Sequence, residues 1–141
     1  MVDLHLKVEI SASADEVFDA IGTSGGNQGW WTRDSSVEEK VGGEAVFGFE
    51  NRAAVYRMTV DEFDPGKTLV MSCQAGHPEW IGTRLDWRID NTEEGATALT
   101  LVHRNWREMT SFCALCNATW GHLLYRLKDY VETGERNPRW D

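Results

Sequence analysis

The segment TSFCALCNATWGHLLYRLKDYVET, residues 110–133, decides the fold. Its apolar side chains fall at Cys113, Cys116, Trp120, Leu124, Leu127 and Val131, with Leu123 and Tyr130 filling the same stripe. That spacing is the 3.6-residue period of an amphipathic helix, held over several turns. Asn117, Arg126, Lys128, Asp129 and Glu132 take the opposite, water-facing side. Gly134 is placed to close the helix, because glycine adopts the left-handed conformation without a side-chain clash. A stripe so wide needs a broad apolar surface to lie on. Most of the preceding chain reads as short strands, so that surface is predicted to be a sheet.

Working back from the helix, the strands announce themselves by alternation. Leu4, Leu6, Val8 and Ile10 interleave with His5, Lys7 and Glu9, a strand with one buried face. Ser13-Ala14-Asp15-Glu16 reads as a capping box, and a short helix follows that buries Val17, Phe18 and Ile21 and stops at Gly22. Thr23 to Gly29 holds three glycines and reads as a loop or one irregular turn, closed by Trp30-Trp31-Thr32. A meander follows. Val37–Val41 and Glu44–Glu50 flank Gly42-Gly43, a pair suited to a tight hairpin turn. Ala54–Phe63 and Leu69–Cys73 flank Asp64-Pro65-Gly66-Lys67, which has the residue order of a type II turn. Gln74–Glu79 is a loop, and Trp80–Asp90 and Thr97–Arg104 are the last two strands.

The chain has 141 residues, three cysteines and a formal net charge of −9, from 23 acidic and 14 basic residues. That length buries a core without disulfides or metals and is expected to form one domain, residues 1–141. An odd cysteine count makes no disulfide framework, so a reducing cytoplasm is the expected setting. An acidic surface with no basic cluster repels phosphate, which argues against nucleic acid and anionic membranes as partners. Met1 to Ile10 alternates apolar and polar residues in place of a basic start and an apolar block, and no run approaches the length of a transmembrane helix, so neither a signal peptide nor a membrane span is expected. Seven tryptophans supply flat apolar walls of the kind found in small-molecule pockets.

The order of strand, short helices, antiparallel strands and long helix describes an α+β helix-grip. Several strings sharpen that outline: Trp30-Trp31-Thr32, Val41-Gly42-Gly43, Trp80-Ile81-Gly82-Thr83-Arg84-Leu85-Asp86-Trp87, and Ala98-Leu99-Thr100-Leu101-Val102-His103. With Trp120, Leu124, Leu127 and Tyr130-Val131-Glu132-Thr133-Gly134, they resemble the family named for the activator of Hsp-90 ATPase, within the SRPBCC (START-like) superfamily. The resemblance covers nearly the whole chain. It implies a curved antiparallel sheet wrapped around the C-terminal helix, with two short helices after strand 1. It also implies three possible functions: a small apolar, aromatic or lipid-like ligand held between helix and sheet; a protein-interaction module that binds a chaperone; or a cyclase- or hydrolase-like enzyme. A homodimer is compatible with the family.

Strand phase assigns the inner surface, because residues i, i+2 and i+4 share a face. Phe47 and Phe49 form one row, and Tyr56, Met58 and Val60 a second. Leu69, Met71 and Cys73 form a third, Thr83, Leu85, Trp87 and Ile89 a fourth, and Leu99, Leu101 and His103 a fifth. These rows face Cys116, Trp120 and Leu124. Two readings stand side by side: close-packed core throughout, or a cavity lined by Trp31, Phe47, Phe49, Tyr56, Met58, Met71, Cys73, Leu85, Trp87, Leu101, His103, Cys116 and Trp120. His103 is the one candidate acid or base, set against the simpler reading of a histidine hydrogen-bonded in the core. The acidic residues fall on exposed parities, as Asp86 does beside Trp87, so no carboxylate pair is expected. Cys113 and Cys116 make a C-x-x-C, but no second pair or histidines complete a zinc site. If the helix starts near Met109, its dipole lowers the Cys113 pKa; as stripe residues the two thiols are simply small apolar side chains. Gly42-Gly43 lacks the lysine and helix of a phosphate loop, so neither cofactor nor metal is expected. One of Trp30 and Trp31 is expected to be a buried plug and the other exposed, with Thr23–Thr32 as a candidate gate.

Overall fold

The computed structural model describes all residues, 1–141. Its elements are β1 (Val2–Ile10), α1 (Ala14–Gly22), α2 (Ser24–Trp30), β2 (Asp34–Val37), β3 (Glu44–Phe49), β4 (Ala54–Asp64), β5 (Thr68–Ala75), β6 (Arg84–Asn91), β7 (Thr97–Trp106) and α3 (Ser111–Thr133). Seven strands form one antiparallel sheet in the order β1-β7-β6-β5-β4-β3-β2. The two short helices carry the chain from β1 to the far edge, and the meander brings it back beside its start. Register shifts between Arg57 and Met58, and between Val60 and Glu62, put bulges into the β4–β5 pair. Bulges add local twist, which helps the sheet curl around a helix. This is the helix-grip architecture. No helix is long and apolar enough to cross a membrane.

Each helix is ended by the chemistry its sequence offers. Ser13 accepts from the Glu16 N–H at 3.1 Å, and the Glu16 carboxylate accepts from the Ser13 N–H at 3.3 Å, closing a capping box on α1. Thr110 caps α3 by accepting from the Cys113 N–H at 3.0 Å, and Gly134, at φ 77°, closes it in the left-handed conformation. The predicted stripe packs inward: Cys113, Trp120, Leu123, Leu124 and Leu127 are buried, and Cys116, Tyr130 and Val131 half-buried. A cluster of 29 buried apolar residues fills the space between α3, the short helices and the sheet.

Four local expectations change. Ser24–Trp30 is helical where the glycines suggested a loop. Thr23 caps it through the Gly26 N–H at 2.9 Å. The glycines serve close packing there: a Cβ on Gly26 would lie 2.0 Å from Asp19 O, and one on Gly29 would lie 2.5 Å from the Tyr130 ring. Trp30 and Trp31 are both buried, so neither is the exposed partner. Trp30 is held by an indole N–H donated to Ala20 O at 2.8 Å. β2 stops at Val37, and residues 38–43 form a longer connection in place of a two-residue turn. Gly42 N–H and Gly43 O bond outward to Val60 of β4 at 2.8 and 2.9 Å, leaving Val41 exposed. β6 begins at Arg84, because Trp80–Thr83 is a turn: the Thr83 N–H donates to Trp80 O at 2.8 Å.

Asp86 also departs from expectation. It lies on the outer face of β6, as its parity required, but Arg88 and Arg104 cover it. Arg104 Nε donates to Oδ2 at 3.0 Å, Arg88 Nε approaches Oδ1 at 3.1 Å, and only 8% of the Asp86 side chain is exposed. A carboxylate so enclosed persists because its charge is paired.

The glycine packing is testable by urea unfolding. Gly29→Ala forces a methyl into the Tyr130 ring and is expected to cost about 1–3 kcal/mol. Gly25→Ala, whose Cβ meets nothing within 4 Å, is expected to leave stability unchanged or raise it by about 0.5–1 kcal/mol through helix propensity. Equal effects at the two positions would contradict the packing account.

Candidate functional site

The interior is built around His103, which is fully buried on β7. Trp120 of α3 reaches down to it, with indole Nε1 3.1 Å from Nδ1. Indole nitrogen only donates, so Nδ1 is the unprotonated acceptor and the ring proton sits on Nε2. Nε2–H then donates to Thr83 Oγ1 at 2.8 Å, and the Thr83 hydroxyl donates to Trp80 O at 2.6 Å. One directional chain thus runs from helix to sheet to turn, with every proton assigned. Burial lowers the His103 pKa to about 3, so the ring is neutral at ordinary pH. Both ring nitrogens are engaged, and neither is free to take a proton from a substrate.

The same tryptophan borders open space. Between α3 and the ends of β3 and β4 lies a crevice of about 290 Å³ with thirteen lining residues. Seven are aromatic: Trp31, Phe49, Tyr56, Trp80, Phe112, Trp120 and Trp140. The others are Leu115, Cys116, Thr119 and Leu123 of α3, with Glu50 and Ala54 at the β3–β4 turn. Their rings meet at steep angles. Phe49 stands edge-on to Tyr56 at 5.4 Å and to Trp140 at 5.1 Å, and Trp31 lies 5.3 Å from Trp120. Glu50 is the one charged lining residue. A second depression, of about 440 Å³, lies between the Pro78–Gly82 turn and Asn105–Thr110; Glu79, Arg107 and Glu108 make its rim charged. The apolar crevice has the character of a small-molecule site, since such sites are mostly apolar with few polar groups.

Of the residues expected to face a cavity, Trp31, Phe49, Tyr56, Cys116 and Trp120 line the crevice. Phe47, Met58, Met71, Cys73, Leu85, Trp87, Leu101 and His103 do not; they are buried in the core beneath it. Close packing and open space are therefore both present, the first around His103 and the second toward the β3–β4 end. Strand parity identifies the inner face but not how deep each row lies. Glu50, Ala54, Trp80, Phe112, Leu115, Thr119, Leu123 and Trp140 line it without having been expected to. Leu115 carried a signal, a leucine off the apolar stripe of α3, and so did Trp140, a lone aromatic in a polar segment.

The thiols and phenol of this region are held neutral. Burial pushes Cys73 up to about 11, and burial followed by the neighbouring Cys116 and Cys73 pushes Tyr56 up to about 12. Burial, then nearby Glu79, also raises Cys113, against the lowering expected from the helix dipole. Cys116 is raised by burial, although the adjacent Trp80 indole N–H opposes the shift. All three cysteines are free thiols.

Comparison with known proteins places this geometry. The model of the family described as Activator of Hsp90 ATPase homolog 1-like protein matches residues 11–132. The solution structure of the Aha1 dimer from Colwellia psychrerythraea is 32% identical, with a TM-score of 0.86 over 95% of this chain and 98% of that one. A Staphylococcus saprophyticus protein has a TM-score of 0.80 at 18% identity, covering 99% and 98% of the two chains. DynU16, from the dynemicin biosynthetic locus, has a TM-score of 0.82 at 22% identity, over 95% of this chain and 48% of its own. These last two share the fold. A search of curated proteins found no match.

The His103 chain sets a pH dependence. An unfolded histidine binds its proton near pH 6.5, whereas the folded one does so only near 3. The unfolded state therefore holds the extra proton between these values. Stability is full above about 6.5 and falls by roughly 1.4 kcal/mol per pH unit as the pH drops toward 3. His103→Gln, which can still accept and donate, is expected to lose about 1–2 kcal/mol at neutral pH. It should also lack this part of the acid slope. Urea unfolding of both proteins from pH 7 to pH 4 checks it. Glu132, whose carboxyl is held low by the Ser11 N–H and then by Lys128, is retained in both, so the difference isolates His103.

Proposed function

The chain belongs to the family described as Activator of Hsp90 ATPase homolog 1-like protein, and we propose that within it this protein is a small-molecule binding module. Its ligand, a compact apolar or aromatic compound, enters the crevice between α3 and the β3–β4 end of the sheet. The supporting observation is the crevice itself: an aromatic-walled opening beside a core otherwise closely packed. Its volume, about 290 Å³, lies at the lower end of ligand pockets, which favours a molecule of a few rings over a long-chain lipid. No covalent step is implied, because His103 is engaged at both nitrogens and the thiols are held protonated. Free cysteines are in keeping with a reducing cytoplasm.

A second reading, self-association, is favoured by a particular surface. Leu115 and Tyr125 are each 63% exposed on one side of α3, and the Colwellia relative is a dimer. Contact through this side would bring a second copy to the crevice mouth, where Leu115 lies. Chaperone binding is the alternative use of the same surface, suggested by the family's description.

The binding reading is tested by thermal shift and tryptophan quenching against a panel of uncharged aromatic compounds. A ligand at a hundred times its Kd is expected to add about 2.7 kcal/mol of stability. Thr119→Trp, which fills the mouth from a half-exposed helix position, should abolish the shift while leaving far-UV circular dichroism unchanged. A shift that survives this substitution would move the site elsewhere. For self-association, sedimentation equilibrium is expected to give a dimer that Leu115→Glu with Tyr125→Glu converts to monomer. A monomeric parent protein rejects that reading.

A further inference from the structure

The segment after α3 lies outside the residues the family model matches, 11–132, yet it completes the crevice. Residues 134–141 turn back over α2 and run beside the Trp30–Arg33 stretch. Asn137 N–H donates to Gly29 O at 2.9 Å, Arg139 N–H to Trp30 O at 3.3 Å, and Trp140 N–H to Trp31 O at 3.1 Å. Arg33 N–H returns a bond to Trp140 O at 2.9 Å, making a parallel bridge between Thr32 and Trp140. Side chains add Arg126 to Asn137 O at 2.5 Å and Arg136 to Gly25 O at 2.8 Å.

One side chain of this strap enters the crevice, that of Trp140. Its ring meets Phe49 edge-on at 5.1 Å, while the Arg139 guanidinium lies 4.8 Å from its centroid. The anchoring bonds are all made by groups other than the Trp140 side chain. Main-chain bonding thus fixes the path of the strap, and the side chain at position 140 decides how much of the crevice is filled. The chemistry of the remaining wall narrows the occupant further. Glu50 is the only charged lining residue and the chain carries a net charge of −9, so an anion would meet repulsion with no cation among the lining residues to pair it.

We infer that Trp140 is the specificity-determining residue of the crevice, and that the strap restricts the occupant to a flat aromatic of about two rings that carries no negative charge. The inference rests on the crevice being a ligand site. Because main-chain and arginine bonds anchor the strap, a ligand too large for the space beside Trp140 would have to displace the Trp140 ring, which is only half-buried.

The test compares two uncharged, environment-sensitive probes: prodan, with a naphthalene core, and 1-acetylpyrene, with a pyrene core. The parent protein is expected to bind prodan saturably and to prefer it over 1-acetylpyrene by about tenfold or more. Trp140→Ala should shift that preference by about tenfold toward the larger probe, with Trp140→Phe between the two. Should the strap detach in Trp140→Ala, the wall is lost all the same and the shift has the same direction. Retention of the preference to within about twofold in both variants, with prodan still bound, overturns the role of Trp140 while leaving the ligand site standing. If the parent protein binds neither probe, the ligand-site reading fails and takes this inference with it.

Discussion

The rest of the structure depends on one constraint: a histidine buried on β7, beneath the long helix, must have both nitrogens satisfied. His103 meets it by accepting from Trp120 and donating to Thr83, whose hydroxyl passes on to Trp80 O. These residues come from α3, β7 and the turn before β6. The chain of bonds therefore ties the long helix to β7 and to the turn at directional contacts, which apolar packing does not supply. A buried polar network that is fully satisfied specifies one arrangement, and removing any member strands the others in a medium that offers no water. The neutrality of His103 is thus a structural property, with acid sensitivity as its consequence.

That constraint also shapes the crevice. Trp120 is shared: its N–H belongs to the core, while its ring forms one wall of the open space. Trp80 behaves likewise, contributing its carbonyl to the chain and its ring to the wall. The two tryptophans lie 6.0 Å apart at 25°, and Trp31 completes the corner beside Phe47 and Phe49. Wall residues held from behind by hydrogen bonds and packing give a preformed surface, which lowers the ordering cost of binding. The outer side is different, because Trp140 is held there through its backbone and its ring is only half-buried. Rigid and replaceable walls face one another across the same space.

Charge is distributed to match. The outer face of the sheet holds the paired charges, with Asp86 enclosed by Arg88 and Arg104 and Asp3 touching Arg104. On the concave face, burial keeps Tyr56, Cys73 and His103 in their neutral forms, and Glu50 at the crevice rim is the one charged lining residue. A crevice whose one charged lining residue is Glu50, beside an acidic exterior, disfavours anionic partners on electrostatic grounds.

The long helix, the first short helix and the inward face of the strands were legible in the residues alone. The period of 113–131 determined α3, Ser13 and Glu16 determined the start of α1, and alternation determined which side of each strand is buried, because these signals are local and repeat along the chain. The sequence did not determine the helicity of Ser24–Trp30, since the glycines there answer to Asp19 and Tyr130, which approach only in the folded chain. Nor did it reveal that Asp86 is enclosed, because two arginines on different strand positions cover it. The division between core and crevice was likewise beyond it. Parity assigns Phe47 and Phe49 to one face, yet one is sealed and the other, the last residue of β3, lines the opening. Trp140 gives no periodic signal at all. Tertiary structure alone decided its place, through main-chain bonds to residues more than a hundred positions earlier, whose geometry no local pattern of side chains encodes.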